Sequence, residues 1–181
     1  MKLVTKRIIL LIIAMFIVFW SVQIVSINQE KRTVISYNMY EKIKYDSVTV
    51  TGTDFRIFSQ KEYEDFFNVK PEVNDKDIML ICCQIEFENT SDTDLPWDLI
   101  FNTADNGFES LTWMSVVDPF LGRDINILKA DTLEKGAKQK IWYITILDPK
   151  AFSKDTWVNI RNEKFAYVLS MEPVKEVILL E

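Results

Sequence analysis

The segment between Arg7 and Glu30 carries no charged side chain, and this feature constrains the fold more than any other. From Ile8 to Ile27 the apolar run is interrupted only by two serines and one glutamine. At about 1.5 Å per helical residue, a run of this length spans the roughly 30 Å hydrocarbon core of a bilayer. The sequence therefore predicts a transmembrane helix over residues 8–27.

A cleaved export signal is the main alternative for this segment. Such a signal has a shorter apolar region, of about 7 to 15 residues, followed by a cleavage site with two small residues. The candidate sites are poor, because Phe19 lies two residues before Ser21 and Ile24 lies two residues before Ser26. We expect an uncleaved anchor, and a cleaved signal or a buried soluble helix are the other interpretations.

The flanking charges predict how the anchor is oriented. Three basic side chains lie within residues 1–7, whereas the two that follow the span lie beside Glu30. Because positive charge favours the cytoplasmic side, residues 1–7 are expected in the cytoplasm and the C-terminal region outside it. The predicted location is the cell membrane, crossed once.

The rest of the chain is long enough for one domain. We expect residues 28–44 to form a linker and first strand region, and residues 45–181 to form an extracytoplasmic domain. The first 32 residues hold five basic side chains and one acidic one, so residues 33–181 hold the other 16 of 21 basic and 26 of 27 acidic side chains, a net charge of -10. This acidity repels phosphates, so nucleic acid is not an expected partner.

Period-two alternation dominates this region and predicts β-strands. The clearest case is "DIMLICCQIEFENTSD", residues 77–92, where Met79, Ile81, Cys83, Ile85 and Phe87 share one face and polar side chains occupy the other. Two further strands are predicted over residues 138–147, with Trp142, Ile144 and Ile146 on one face, and over residues 164–171. Half-buried strands of this kind are typical of antiparallel sheets.

The stretch "SVTVTGTDFRIF", residues 47–58, changes the parity of its apolar positions. Val48 and Val50 are even, whereas Phe55 and Ile57 are odd, so one face holds all four only if an extra residue intervenes. Gly52 is the natural place for such a bulge because it tolerates positive φ. The rival interpretation is two strands with Gly52 in a turn.

Turn signals complete the fold prediction. Asn106-Gly107 is a favoured pair for a two-residue hairpin turn, and "LEKGAKQ" and "IRNEKF" predict two more turns. Ser59 and Glu62 have the spacing of a capping box, which predicts a short helix over residues 59–67. Another short helical turn is expected at Asp148-Pro149. About seven strands then predict a mainly β fold, an antiparallel two-sheet sandwich with one or two short helices.

Three stretches, "VTVTGTDFRIF", "IEFENTSDTDLPWD" and "LEKGAKQKIWYITIL", resemble a group of uncharacterised bacterial extracytoplasmic domains with an immunoglobulin-like sandwich, tethered by an N-terminal helix or lipid. In that group a strand ending in Asn-Thr-Ser is followed by a Leu-x-x-Gly turn and an aromatic-rich strand. The matching positions are Asn89 to Ser91, Leu133 with Gly136, and Trp142 to Ile146; Lys135 stands where the group usually has Pro or Asp. The resemblance covers roughly residues 45–147 and implies a fold and a location, but no activity.

Missing residue types narrow the possible chemistry. The sequence has no histidine, which excludes Ser-His-Asp and Cys-His catalysis and histidine-ligated metal sites, and its four glycines form no phosphate-binding array. Carboxylates in predicted loops could serve a glycosidase pair or a calcium site, although turn roles are simpler. Those residues are Asp75, Asp77, Asp92, Asp94, Asp98 and Asp105. We expect no enzymatic activity, no cofactor and no metal.

Cys82 and Cys83 are neighbours in a predicted strand. Their Cα atoms are about 3.8 Å apart, below the usual range for a disulfide of about 4.4 to 6.8 Å. We expect Cys83 in the core and Cys82 as a free thiol on the opposite, polar face, with a vicinal disulfide or pairing to another molecule as alternatives. Free thiols in an exported protein suit the surface of a Gram-positive type of bacterium.

Aromatic side chains are the remaining resource for recognition. Trp142 and Trp157 lie in strand-like patterns and are expected in the core. The candidate partner patch comprises Trp97, Trp113, Met114, Phe120 and Leu121, unless these side chains line the end of the sandwich. The expected function is a membrane-tethered module that binds another envelope or surface protein. A ligand-binding accessory domain, for a lipid, peptide or ion, is the alternative.

Overall fold

The computed structural model describes residues 33–71, 73, 75, 77–101, 104–128 and 130–181, together with Phe16 and Trp20. The predicted anchor, residues 8–27, lies outside these residues apart from Phe16 and Trp20. Among the described residues, no helix has the length and apolar character needed to cross a membrane. Residues Val34–Glu181 form one compact unit, which contains every strand that the structure describes.

Eleven strands form three sheets in the described residues. A five-stranded sheet has the order β1-β11-β10-β6-β7, a four-stranded sheet the order β2-β3-β4-β9, and β5 pairs with β8. The strands are β1 (Val34–Asn38), β2 (Ile43–Tyr45), β3 (Val48–Ser59), β4 (Met79–Asn89), β5 (Leu95–Pro96), β6 (Gly107–Glu109), β7 (Met114–Val116), β8 (Thr132–Leu133), β9 (Lys138–Leu147), β10 (Phe165–Ser170) and β11 (Lys175–Leu180). β1 pairs parallel with β11, and the other pairings are antiparallel.

The main core lies between the two larger sheets and makes the fold a β-sandwich. Inward side chains of β3, β4 and β9 pack with those of β6, β10 and β11 in one apolar cluster. Phe108, Tyr167 and Ile178 form a fully buried row across the five-stranded sheet. A mainly β, antiparallel-rich sandwich was predicted, but with about seven strands; the shortest ones, such as β5 and β8, are two residues long and leave no periodicity in the sequence.

Short helices connect the strands. They are α1 (Gln60–Phe67), α2 (Trp97–Phe101) and α3 (Lys154–Val158), with 3-10 turns at Pro149–Ala151 and Ile160–Asn162. The predicted capping box at α1 is confirmed, because the Ser59 hydroxyl accepts from the Glu62 amide while the Glu62 carboxylate accepts from the Ser59 amide. The turn predicted at Asp148-Pro149 is also confirmed, with Asp148 as its N-cap.

The predicted bulge in β3 is confirmed. β3 is one continuous strand, and its register against β4 shifts between Gly52 and Asp54. The shift brings the even-numbered Val48 and Val50 and the odd-numbered Phe55 and Ile57 into the same core cluster. The expected reason was only partly right, since Gly52 does not take positive φ. A Cβ there would lie 2.9 Å from the Met39 sulfur and 3.2 Å from Ile178, so any larger residue would displace these side chains, and close packing favours glycine.

β4 is buried on both faces over half its length. Ile81, Cys83 and Ile85 face the main core as predicted. On the opposite face, Leu80 and Cys82 are fully buried in a second cluster beneath α1, formed with Tyr63. The prediction of Cys82 as an accessible thiol is therefore wrong, because the helix covers that half of the strand.

Three local assignments also need correction. Trp142, Ile144 and Ile146 of β9 share one face as predicted, but they pack in the second cluster, whereas Ile141 and Tyr143 on the other face enter the main core. Asn106-Gly107 forms no hairpin turn: residues 97–101 are helical, Asn106 has φ of 48° and β6 begins at Gly107. Trp157 lies in α3 rather than in a strand, half-buried against the main core.

Candidate functional site

A loop joins the edges of the two sheets along one side of the sandwich. This loop, residues 117–126, follows β7 and is called the strap. Its Asp118 amide donates to the Ile144 carbonyl at 2.8 Å, and the hydroxyls of Ser115 and Thr145 lie 3.0 Å apart just before it. Because β7 and β9 are each the last strand of their sheet, these bonds fasten one sheet edge to the other.

The strap ends in a two-bond clasp between Asn126 and Trp142. The Asn126 side-chain amide donates to the Trp142 carbonyl at 2.7 Å, and the Trp142 amide donates to the Asn126 side-chain oxygen at 2.8 Å. The side chain thus replaces a neighbouring strand at the edge of β9. Gly122 permits this approach, since a Cβ there would lie 2.9 Å from the Asn126 nitrogen and 3.0 Å from the Trp142 oxygen.

The middle of the strap is anchored on the second cluster. Leu121 is buried there, and its carbonyl accepts a 3.0 Å hydrogen bond from the Tyr63 hydroxyl of α1. The strap is therefore fixed at both ends and at its centre, so the surface that it presents is preformed.

A cavity of about 500 Å³ opens between the strap, the end of α2 and the first half of β9. Its volume lies within the range of about 300 to 1,000 Å³ that is usual for ligand sites. Most of its wall is apolar. The lining residues are Phe101, Asp105, Asn106, Val116, Val117, Asp118, Pro119, Gly122, Arg123, Asn126, Leu128, Ile141, Trp142 and Tyr143.

Four exposed apolar side chains that line the cavity or adjoin a lining residue in the chain are called the apolar rim: Val116, Phe120, Ile127 and Leu128. Val116 and Leu128 line the cavity, and the other two each adjoin a lining residue in the chain. Val116 is 74% exposed and Phe120 is 72% exposed. Several exposed apolar side chains beside a concave surface are a common feature of binding sites.

Three ionised side chains line the cavity. Asp105 accepts from the Met171 amide at 2.6 Å, and Asp118 accepts from the Phe120 amide at 2.8 Å, which holds both carboxylates in place. Arg123 is exposed and forms no ion pair with any residue that the structure describes. The lining therefore carries a net charge of about -1.

Two buried tyrosines have their hydroxyl groups at the site: Tyr143 lines the cavity, and Tyr167 bonds to a lining residue. The Tyr167 hydroxyl donates to Asn106, a lining residue. The Tyr143 hydroxyl is buried and has no hydrogen-bond partner among the described residues, and burial raises the pKa of this phenol above its ordinary value. Burial also raises the pKa of Tyr167, so both phenols stay neutral at physiological pH.

The residues of the sequence-predicted partner patch are only partly brought together. Met114 and Phe120 are exposed, whereas the side chain of Leu121, in the middle of the strap, is buried in the second cluster. Trp97 is only 6% exposed; it stacks on Phe101 and donates its indole N–H to the Ala130 carbonyl. Trp113 is half-buried, with its ring centroid 5.7 Å from that of Phe152 and 5.9 Å from that of Phe165. Trp97, Trp113 and Leu121 therefore belong to the packing of the fold.

The sequence prediction missed the other side of the site. Val116 and Leu128 of the rim were not singled out, and neither was the Asn126 clasp. A usable signal was present, because "NIL" at residues 126–128 places two adjacent apolar side chains in a stretch without strand periodicity. Such residues in a loop need either a packing partner or a binding role.

Three of the carboxylates considered in the sequence bond to loops of the fold, and Asp98 lies in α2 rather than in a loop. Asp94 accepts from the Lys135 amide, Asp92 pairs with the Lys135 ammonium group, and Asp75 accepts from the Asp77 amide. Among the residues described, no group of three or more acidic or cysteine side chains is placed to hold a metal ion. Cys82 and Cys83 are both free thiols, and burial raises the pKa of each.

Comparisons with known proteins support the fold alone. No protein-family model and no curated protein sequence matches the chain. A conserved hypothetical protein from Bacillus anthracis is similar in structure, with 13% identity, 78% of this chain and 94% of that chain covered, and a TM-score of 0.52. An uncharacterised β-sandwich protein from Clostridium difficile 630 shows 11% identity, coverage of 84% and 98%, and a TM-score of 0.49.

Proposed function

We propose that this protein is a membrane-tethered interaction module whose cavity and apolar rim bind a segment of another envelope or surface protein. Residues 8–27 would hold the chain in the cell membrane, with the sandwich outside the cytoplasm, as in the immunoglobulin-like extracytoplasmic domains that the sequence resembles. In this role the protein binds without catalysing a reaction.

One observation carries the proposal: a preformed apolar cavity opens beside exposed apolar side chains on a fastened loop. Protein interfaces are anchored by apolar side chains that fill pockets, surrounded by a polar border. The cavity supplies the pocket, and Val116 and Phe120 supply apolar area next to it. Because the strap is tied to β9 and α1, this surface loses little conformational freedom on binding.

The tethering part of the proposal is supported by the uncharged run and its flanking basic residues. It is tested by mass spectrometry of the protein extracted from membranes, with protease treatment of intact cells. An N-terminus at or after Val22 would show cleavage of the anchor. Protection of the sandwich from external protease would reverse the orientation.

The binding part is tested by crosslinking in intact cells, followed by capture of the full chain. Val116→Asn and Phe120→Ala should each reduce the amount of captured partner. For Phe120→Ala the expected loss is about thirtyfold in affinity, on the order of 2 kcal/mol. Val158→Asn is a matched control, because Val158 is 82% exposed on α3, away from the cavity lining. Equal loss in all three variants, or in none, would refute the assignment of this surface.

The cavity volume also favours a second candidate, an accessory domain that binds a small apolar ligand. Native mass spectrometry of the full chain, purified from membranes, distinguishes the two. A discrete added mass that Val116→Asn removes, without any crosslinked protein, would favour the ligand-binding role.

A further inference from the structure

We infer that the partner segment is basic as well as apolar: a stretch of polypeptide with an aliphatic or aromatic side chain flanked by lysine or arginine. This inference rests on the proposed function and adds the chemistry of the partner. It follows from the placement of charge around the cavity.

Charge on two length scales favours a cationic partner. Across residues 33–181 there are 26 acidic and 16 basic side chains, so the field of the domain attracts cations. At the cavity itself, Asp105 and Asp118 outnumber the single cation, Arg123. The long-range and the local charge therefore have the same sign, and both disfavour an acidic segment.

The two carboxylates are preorganised to receive a donor. Asp105 uses its Oδ2 atom for the Met171 amide, and Asp118 uses its Oδ1 atom for the Phe120 amide. The second oxygen of each carboxylate has no hydrogen bond from the residues that the structure describes. Each can therefore accept a charge-assisted bond from lysine or arginine without losing its backbone contact.

Apolar surface and carboxylates together suit a basic side chain better than either feature alone. Lysine and arginine place their methylene stems along apolar surface while the charged end reaches a polar partner. Val116, Val117 and Ile141 line the same cavity as the two carboxylates and provide such surface. An apolar side chain from the same segment can occupy the rest of the cavity.

Removing the positive charge of Arg123 should change binding in the opposite direction from removing the negative charge of Asp105 or Asp118. Its side chain has no ion pair among the described residues, so removing its charge should leave the fold intact. The lining would then carry a net charge of about -2. A basic segment should bind the Arg123→Gln variant more tightly, whereas loss of a structural contact would weaken binding.

The experiment measures fluorescence anisotropy of two labelled peptides with the full chain in neutral detergent. Both peptides have a Leu-Phe-Leu centre, flanked on each side by two lysines in one and by two glutamates in the other. We expect binding of the lysine peptide that weakens with added salt, and at least tenfold weaker binding of the glutamate peptide. Asp105→Asn and Asp118→Asn keep the backbone hydrogen bonds, and each should weaken binding of the lysine peptide about two- to fivefold. Arg123→Gln should strengthen binding of the same peptide.

Asp155→Asn is the matched control, since it removes the same charge from α3, outside the cavity lining. Equal binding of the two peptides, an Asp155→Asn effect as large as that of Asp118→Asn, or no binding of either peptide would each overturn the inference. The proposed function stands separately on crosslinked capture. If Val116→Asn abolishes capture while neither peptide binds selectively, the surface is right and the partner chemistry is wrong.

Discussion

The side-chain amide of Asn89 donates to the carbonyl oxygen of Leu133 at 2.8 Å, across 44 positions of sequence. The same nitrogen also donates to the Thr93 carbonyl, and the side-chain oxygen accepts from the Ser91 amide at 2.9 Å. On the main chain, the Gly136 amide donates to the Asn89 carbonyl. One buried asparagine therefore joins the turn after β4 to the turn before β9, which are two of the three short motifs that carry the sequence resemblance.

Replacing Asn89 with alanine should destabilise the domain by about 2 to 4 kcal/mol. The side chain is only 1% exposed, so its loss leaves buried carbonyls without donors in addition to removing hydrogen bonds. Urea unfolding followed by tryptophan fluorescence measures this change. Ser91→Ala is the milder comparison, and a cost equal to that of Asn89→Ala would show that the two turns are not joined through the asparagine.

Both cysteines should resist alkylation in the native protein. Each thiol is buried and burial raises its pKa, so little reactive thiolate is accessible at neutral pH. Mass spectrometry after iodoacetamide should find no added mass before urea and two additions after it. Rapid modification of Cys82 alone would mean that α1 does not cover it, and a mass two units low would indicate a vicinal disulfide.

Acid should weaken the attachment of α1. Hydrogen bonds from Arg161 and from Ser59 lower the pKa of Glu62 to about 2 from an ordinary value of 4.5. A carboxyl whose pKa is lower in the folded state stabilises that state fully above about pH 4.5, and this contribution is lost between about pH 4.5 and 2. Because both side chains are about half exposed, the effect should stay below about 1 kcal/mol. Glu62→Gln should reduce the change in the free energy of unfolding over that pH interval. An unchanged pH dependence would contradict the assignment.

Breaking the Asn126 clasp should loosen the strap before it unfolds the sandwich. Asn126→Ala removes the acceptor of the Trp142 amide and the donor to the Trp142 carbonyl. Hydrogen exchange at the Trp142 amide should accelerate by at least tenfold, whereas Ile81 in the core should exchange at its former rate. Uniform acceleration across β4 and β9 would instead identify the clasp as part of the global stability of the fold.

Sequence patterns predicted the strands whose two faces differ in polarity. The parity change around Gly52 located the β3 bulge, and the alternation from Ile81 to Phe87 identified the core face of β4. Prediction failed where another element changes the environment. Cys82 lies on the face of β4 that carries polar side chains at residues 84, 86 and 88, but α1 covers this face at Cys82 and buries it.

The candidate site was only partly predictable, because it depends on contacts between distant segments. The exposed Phe120 lies in the loop where recognition was expected. The cavity, however, forms only when residues 116–128 meet β9, and that pairing depends on the Asn126 side chain rather than on a strand pattern. Trp97 and Trp113 were included for their residue type, and their burial follows from partners as distant as Ala130 and Phe165.

The parallel pairing of β1 with β11 has a mechanical consequence. Five residue pairs, from Val34 with Lys175 to Asn38 with Leu179, join the first strand of the domain to its last. A pull on Val34 along the strand axis, resisted through the rest of the sandwich, loads these backbone hydrogen bonds in shear. Under this load the hydrogen bonds must break together rather than one at a time. The pairing with β11 therefore makes β1 resistant to a pulling force.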